Sequence, residues 1–144
     1  MHAPDADFER WAAEPGNASA ERLVWRLAMY RLACYALHTG WDDALRLARS
    51  PIAAPIAAQL YRALGSIGAN IAEGYSRGSG RDRVRFYEYA LGSARESTHW
   101  YRAAEPVLGL EVAEARRAIL HRTTLTLLAA IPAERDRLIR RAER

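Results

Sequence analysis

Between Pro51 and Gly74 the chain carries an uninterrupted helical pattern that is apolar on two faces instead of one. At 100° per residue, Ile56, Leu60, Leu64, Ile67 and Ile71 form one stripe, the core-facing side of an amphipathic helix. Ala54, Ala57, Tyr61, Gly65, Gly68 and Ala72 form a second stripe, nearly all small. Gln59, Arg62, Ser66, Asn70 and Glu73 make a polar third. A glycine inside a helix costs about 1 kcal/mol relative to alanine, a cost tolerated most readily where another backbone approaches. One unit of four helices covers only one apolar stripe well. The segment therefore predicts a homo-oligomer, with copies of the chain meeting at Gly65, Gly68 and Ala72.

The rest of the chain is helical by composition. Ala and Leu together number 45, against 16 for Val, Ile and Thr; the first pair loses little entropy in a helix, and β-branched residues favour strands. Helix one is expected from an N-cap at Ser19 to about His38, with a seam of Leu23, Leu27, Tyr30, Cys34, Leu37 and Trp41. Gly40 ends or kinks it, and Trp41 to Arg49 forms a short bridge. Pro51 opens helix two, Ile52 to Glu73, and Gly74 is its left-handed terminator. After the turn Tyr75–Gly80, helix three runs from Arg81 to about Val107. Phe86, Tyr89, Ala90, Ser93, Ser97, Trp100, Ala104 and Leu108 face inward on it, and Gly109 closes it. Helix four covers Leu110 to Ala130, with Val112, Ala115, Ile119, Thr123, Thr126 and Ala130 inward, and Pro132 breaks the pattern. The organisation is a loosely held acidic arm (1–18) tacked on by Phe8 and Trp11, a helical domain (19–131) and an Arg-rich extension (132–144). The fold class is all-α: an antiparallel, up-down-up-down four-helix bundle.

Charge is uneven. All 21 basic residues are arginine; residues 1–21 hold one against five acids, and residues 22–144 hold 20 against 12. The body is therefore basic enough to admit a polyanionic partner. No apolar run approaches the 18 residues a membrane helix needs, and the acidic N-terminus lacks the apolar core of a secretory signal. With the single Cys34, these features point to a reducing cytoplasm.

The stretch Ser66-Ile67-Gly68-Ala69-Asn70-Ile71-Ala72-Glu73-Gly74-Tyr75-Ser76-Arg77-Gly78-Ser79 resembles the signature of the four helix bundle protein family, the proteins encoded in intervening sequences of large-subunit ribosomal RNA genes. Arg85-Phe86 and Ala90-Leu91-Gly92-Ser93-Ala94-Arg95-Glu96 are similar to its third-helix motif, and Leu23-Val24-Trp25-Arg26-Leu27-Ala28 to its first. The stretch His38 to Pro55 departs from the family's shorter linker. The resemblance implies an antiparallel bundle assembled into a homopentameric ring. It also implies kinship with the accessory proteins of diversity-generating retroelements, basic pentamers that bind a reverse transcriptase and nucleic acid.

Candidate chemistry is sparse. Glu96-Ser97-Thr98-His99 has the Glu-x-x-His spacing of di-iron bundles, but no second copy exists and the pair lies on the polar side of helix three. His2, His38 and His121 show no ligand or triad spacing. Cys34 lies on an apolar seam, where a buried inert thiol is expected. The glycines Gly74, Gly78 and Gly80 lack the strand and lysine of a phosphate loop. No catalytic residue, metal or cofactor is expected, and the protein reads as a non-enzyme. Gly65, Ser66, Gly68, Asn70, Ala72, Glu73, Gly74, Ser93 and Glu96 are read as structural or interface residues, with Asn70 and Glu73 organising the turn after helix two. Arg77, Arg81, Arg83 and Arg85 put four cations in nine residues against Asp82 and form the nucleic-acid candidate, with Tyr75 and Tyr87 available for stacking. The expected function is RNA or DNA binding by a basic oligomer, as a reverse-transcriptase accessory. The alternative is a structural scaffold that binds protein alone.

Overall fold

A computed structural model describes residues 3–17 and 23–144 of the chain. Five α-helices account for most of them, and no strand occurs among the described residues: α1 (Ala3–Ala13), α2 (Ala28–Ala48), α3 (Ala54–Ser76), α4 (Gly80–Leu108) and α5 (Leu110–Ala142), with a 3-10 turn at Val24–Arg26 before α2. The protein is all-α, as its composition requires. The Ser19 N-cap and His2 lie outside the described residues.

The long helices pack in chain order, α2 on α3, α3 on α4 and α4 on α5, and α5 returns to α2. Consecutive helices run antiparallel. Leu37 abuts Gly65 while Ala33 and Tyr30 abut Gly68; Arg62 pairs with Glu96 while Ser66 meets Ser93; Arg117 pairs with Glu105 while Arg83 pairs with Glu134. Leu32, Leu60, Leu64, Ile67, Ile71, Leu120 and Leu127 are fully buried between them. α4 contributes Tyr87, Tyr101 and Leu108 together with the small Ala90, Ala94 and Ala104, the last three with no measurable exposure.

Several boundaries differ from the sequence expectation. Gly40 neither ends α2 nor separates a bridge from it; α2 is continuous, and a Cβ at Gly40 would overlap Leu64 of α3. Pro55, not Pro51, occupies the first turn of α3. Gly74 is not a left-handed terminator, because α3 continues to Ser76 and, among the described residues, only Gly109 has positive φ, at 86°. Gly74 instead lets α4 approach: an added Cβ would stand 3.0 Å from Phe86 Cβ. Pro132 does not break α5, which runs on through the Arg-rich extension and seats Leu138 against Gly80. Residues 3–13 are not a loose arm but a helix, with Phe8 only 3% exposed against Tyr35 and Trp11 against Trp25 and Tyr35.

Two inward faces differ from the expectation: that of α2 is rotated by about a third of a turn, and that of α4, where Ala90, Ser97, Ala104 and Leu108 are buried as expected, by about a fifth. On α2 the core side is Met29, Leu32, Ala36, Gly40, Asp43 and Leu47, and the expected seam through Tyr30, Cys34, Leu37 and Trp41 turns sideways. On α4, Tyr89 points out and Tyr87 and Tyr101 point in. Tyr30 and Trp41 on α2 and Tyr89 and Trp100 on α4 drew the expected stripes toward themselves, whereas both core faces mix bulky side chains with alanine.

Candidate functional site

The α3–α4 edge gathers most of the motif residues into one polar seam. Asn70 donates to the Ser66 carbonyl at 2.8 Å and to Ser66 Oγ at 3.0 Å, and Ser66 Oγ meets Ser93 Oγ at 2.9 Å. One turn further, Arg62 pairs with Glu96 at 2.9 Å, and Trp100 Nε1 donates to the same Glu96 Oε1 at 3.2 Å. Asn70 thus braces α3 internally and toward α4 and does not reach the following turn. Glu73 sits in the last turn of α3, where the helix dipole disfavours a carboxylate; Arg77 supplies the offsetting cation. Glu96 is engaged by donors, His99 faces solvent, and no group of three metal-ligating side chains occurs among the described residues.

The four arginines of the α3–α4 turn are not equally available. Arg77 pairs with Glu73 and lies 5.0 Å over the Phe86 ring. Arg85 pairs with Asp82 and covers the same ring at 5.4 Å. Arg83 is the most enclosed, paired with Glu134 at 3.1 Å and donating to the Arg77 carbonyl. Only Arg81 makes no ion pair among the described residues. Tyr87 is 3% exposed and so is not a stacking platform; the same burial raises its phenol pKa above the ordinary value. Tyr75 remains partly exposed.

A broader cationic surface follows α4. Arg81, Arg85, Arg95, His99 and Arg102 recur at helical spacing on its exposed side, along roughly 31 Å at 1.5 Å per residue. Glu88 interrupts the row and is bound by Arg135. Arg95 and Arg102 make no ion pair among the described residues. Gly92 lies mid-row with nothing within 4 Å of the position its Cβ would take. The dense cluster at the start of α4 drew the sequence expectation, and Arg95 and Arg102 extend the cationic surface along the helix.

On the opposite edge of α3 an apolar groove opens against α2. Tyr30, Cys34 and Leu37 form one wall and Gly65, Gly68 and Ala72 the other, around a recess of about 250 Å³. Cys34 and Leu37 connect it to a wider recess of about 420 Å³ bounded by Trp41, Asp42 and Tyr61. Trp41 is 54% exposed. The groove is the displaced α2 seam facing the small-residue stripe of α3.

A buried polar cluster escaped the sequence reading. Asp43 accepts from Tyr101 Oη at 2.8 Å and from Arg116 Nε at 2.7 Å, tying α2, α4 and α5 together. Burial, reinforced by the Asp43 charge, holds the Tyr101 phenol far above its usual pKa. A signal existed: on a helix continued past Gly40, Asp43 follows Leu32, Ala36 and Gly40 on the core face.

The arrangement defines an all-helical protein with an arginine row on one side, an open apolar groove on another, and no helix among the described residues long and apolar enough to cross a membrane. The family model of the 23S rRNA-intervening sequence proteins matches residues 52–125, just over half the chain, and the chain belongs to that family. The match takes in α3, α4 and the first half of α5, the elements that build the polar seam and the arginine row. No curated protein and no solved structure is similar enough to be matched to the chain.

Proposed function

We propose that this protein is a non-enzymatic, antiparallel four-helix bundle of the cytoplasm that assembles into a homo-oligomeric ring and binds RNA or DNA through the exposed side of α4. The observation that carries the reading is the row Arg81, Arg95 and Arg102, whose guanidinium groups make no ion pair among the described residues. The exposed pairs Arg77–Glu73 and Arg85–Asp82 add to it, since surface pairs of this kind are worth only about 0–1 kcal/mol and exchange readily for phosphate. Five subunits and a reverse transcriptase as protein partner are what the resemblance implies. Repetition around a ring multiplies the row and with it the affinity for a long polyanion.

Fluorescence anisotropy with mixed-sequence RNA and DNA tests the reading. Binding is expected at 50 mM salt and to fall by a factor of ten or more by 200 mM, because arginine contacts release condensed counterions. The variant Arg95→Ala/Arg102→Ala is expected to reduce the log–log salt slope by about two per protomer engaged. No binding at 50 mM salt overturns the nucleic-acid half of the proposal. The pairing of Arg77, Arg83 and Arg85 within the chain favours the second reading, a scaffold that binds protein alone, and that result would select it.

A further inference from the structure

We propose that Tyr89 is a stacking platform for an unpaired nucleobase, so that the exposed side of α4 takes single-stranded RNA or DNA in preference to a duplex. This rests on the nucleic-acid half of the reading above and names the form of strand that the arginine row receives.

α4 carries three tyrosines and presents one of them to solvent. Tyr87 and Tyr101 are buried, whereas Tyr89 is 53% exposed. A ring left in water forgoes the burial that a large aromatic side chain normally contributes. Tyr89 also stands among the unpaired arginines. Arg81 lies about 12 Å before it along the helix axis and Arg95 about 9 Å beyond it. The ring flanks the row on the side toward α3, about 60° round the helix from Gly92. A strand whose phosphates follow the arginines therefore turns its bases sideways onto the ring. α1 packs on α2 and α5, on the far side of the bundle from this face.

The ring is positioned before any ligand arrives. Phe86 meets it edge to face, with centroids 5.8 Å apart and planes at 87°. Phe86 is in turn overlain by the guanidinium groups of Arg77 and Arg85, at 5.0 and 5.4 Å. A tyrosine has few rotatable bonds, and one already braced by a neighbour loses little freedom on stacking.

Gly92 clears the approach. It is exposed, and nothing lies within 4 Å of where its Cβ would stand. No contact among the described residues requires a glycine there, although glycine weakens a helix interior. Residues three apart are neighbours on a helix surface, and side chains lean toward the helix N-terminus. A side chain at position 92 would lean toward the Tyr89 ring; its absence leaves that side open to a base.

The surrounding acids do not repel a strand. Asp82, Glu88 and Glu96 on α4 are bound by Arg85, Arg135 and Arg62, and Glu73 on α3 by Arg77. Arg81 and Arg95 remain as surplus positive charge on either side of the ring. The charge alone would accept phosphates of any strand. The ring discriminates, because the base faces of a duplex are covered by their neighbours and those of a single strand can be splayed onto an aromatic side chain.

The test is fluorescence anisotropy of the full chain with a short mixed-sequence RNA, its DNA counterpart and the corresponding DNA duplex, at 50 mM salt. The single strands are expected to bind more tightly than the duplex by a factor of about five or more, the worth of one stacked base. Tyr89→Ala is expected to remove that margin, and Tyr89→Phe to keep it. Duplex affinity and the salt slope stay unchanged in both, because no charge is lost. Gly92→Leu, which leaves the ring in place and fills the space beside it, is expected to remove the margin while raising the melting temperature. A margin that Tyr89→Ala removes for RNA but not for DNA, or the reverse, identifies the strand that stacks. Equal affinity for single strands and duplex, or a preference that survives Tyr89→Ala, overturns this inference alone. Failure of every probe to bind overturns the nucleic-acid reading together with it.

Discussion

The two edges of α3 are built on opposite terms. Toward α4, Gly74 has no room for a methyl group, Ser66 and Asn70 are committed to hydrogen bonds, and Arg62 is tied to Glu96. Toward α2, the contact is tight at one end, where Gly40 meets Leu64 and Asp43 is buried, and opens along Gly65, Gly68 and Ala72 into a groove. Glycine thus serves two purposes in one helix. At Gly74 it lets this chain's own α4 close in; at Gly65 and Gly68 it borders a recess toward α2. The first kind is fixed by folding, the second by whatever fills the groove.

The comparison breaks most visibly at the tight end of the α2 edge. With the upper half of α2 lying over an open groove, Asp43 is the main polar attachment of that helix to α4 and α5. Asp43→Ala strands the Tyr101 hydroxyl and leaves Arg116, whose side chain is a quarter exposed, without its carboxylate. Breaking a buried pair this way costs about 3–5 kcal/mol, and water at Arg116 places the expected loss near the lower figure. Urea unfolding followed by circular dichroism measures it; a loss below about 1 kcal/mol would mean that apolar contacts alone hold α2.

On the closed edge, Gly74→Ala drives a methyl group to 3.0 Å from Phe86 Cβ and from the Tyr87 ring. Overpacking of this kind costs about 1–3 kcal/mol, from which the helix propensity of alanine returns roughly 1. A net destabilisation of about 1 kcal/mol is expected, read as a lower melting temperature. An unchanged or higher one would show that α4 yields at this point.

How much of this was legible in the sequence depended on what kind of signal each feature leaves. The helical class and the core stripe of α3 were plain, because Leu60, Leu64, Ile67 and Ile71 are bulky, periodic and uninterrupted. The α2 core face was not, because Ala33, Ala36, Gly40 and the polar Asp43 interrupt its bulky Met29, Leu32 and Leu47, while Tyr30, Leu37 and Trp41 advertise a face that ends up lateral. Pro132 and Gly40 misled for a common reason: local propensity argues for a break, and tertiary contacts at Leu138 and Leu64 overrule it. The arginine cluster is plain in the sequence, but its pairing with Glu73, Asp82 and Glu134 depends on helix register, and Glu134 lies 51 residues from Arg83.

The smallest effect separates the two kinds of glycine most cleanly. Gly68→Ala introduces a methyl group 3.7 Å from Ala33 and 3.8 Å from Tyr30, distances that strain nothing. In an isolated protomer the substitution removes a helix-interior glycine, so the fold is expected to gain up to about 1 kcal/mol. In an assembled protein the same methyl group occupies space meant for a neighbour, and association weakens. Unfolding at high dilution should therefore show a higher midpoint for the variant, while light scattering at high concentration shows a smaller mass than the wild type. A loss of stability at every concentration would place Gly68 with Gly74, as a residue the chain needs for its own packing, and would leave α3 with one kind of glycine instead of two.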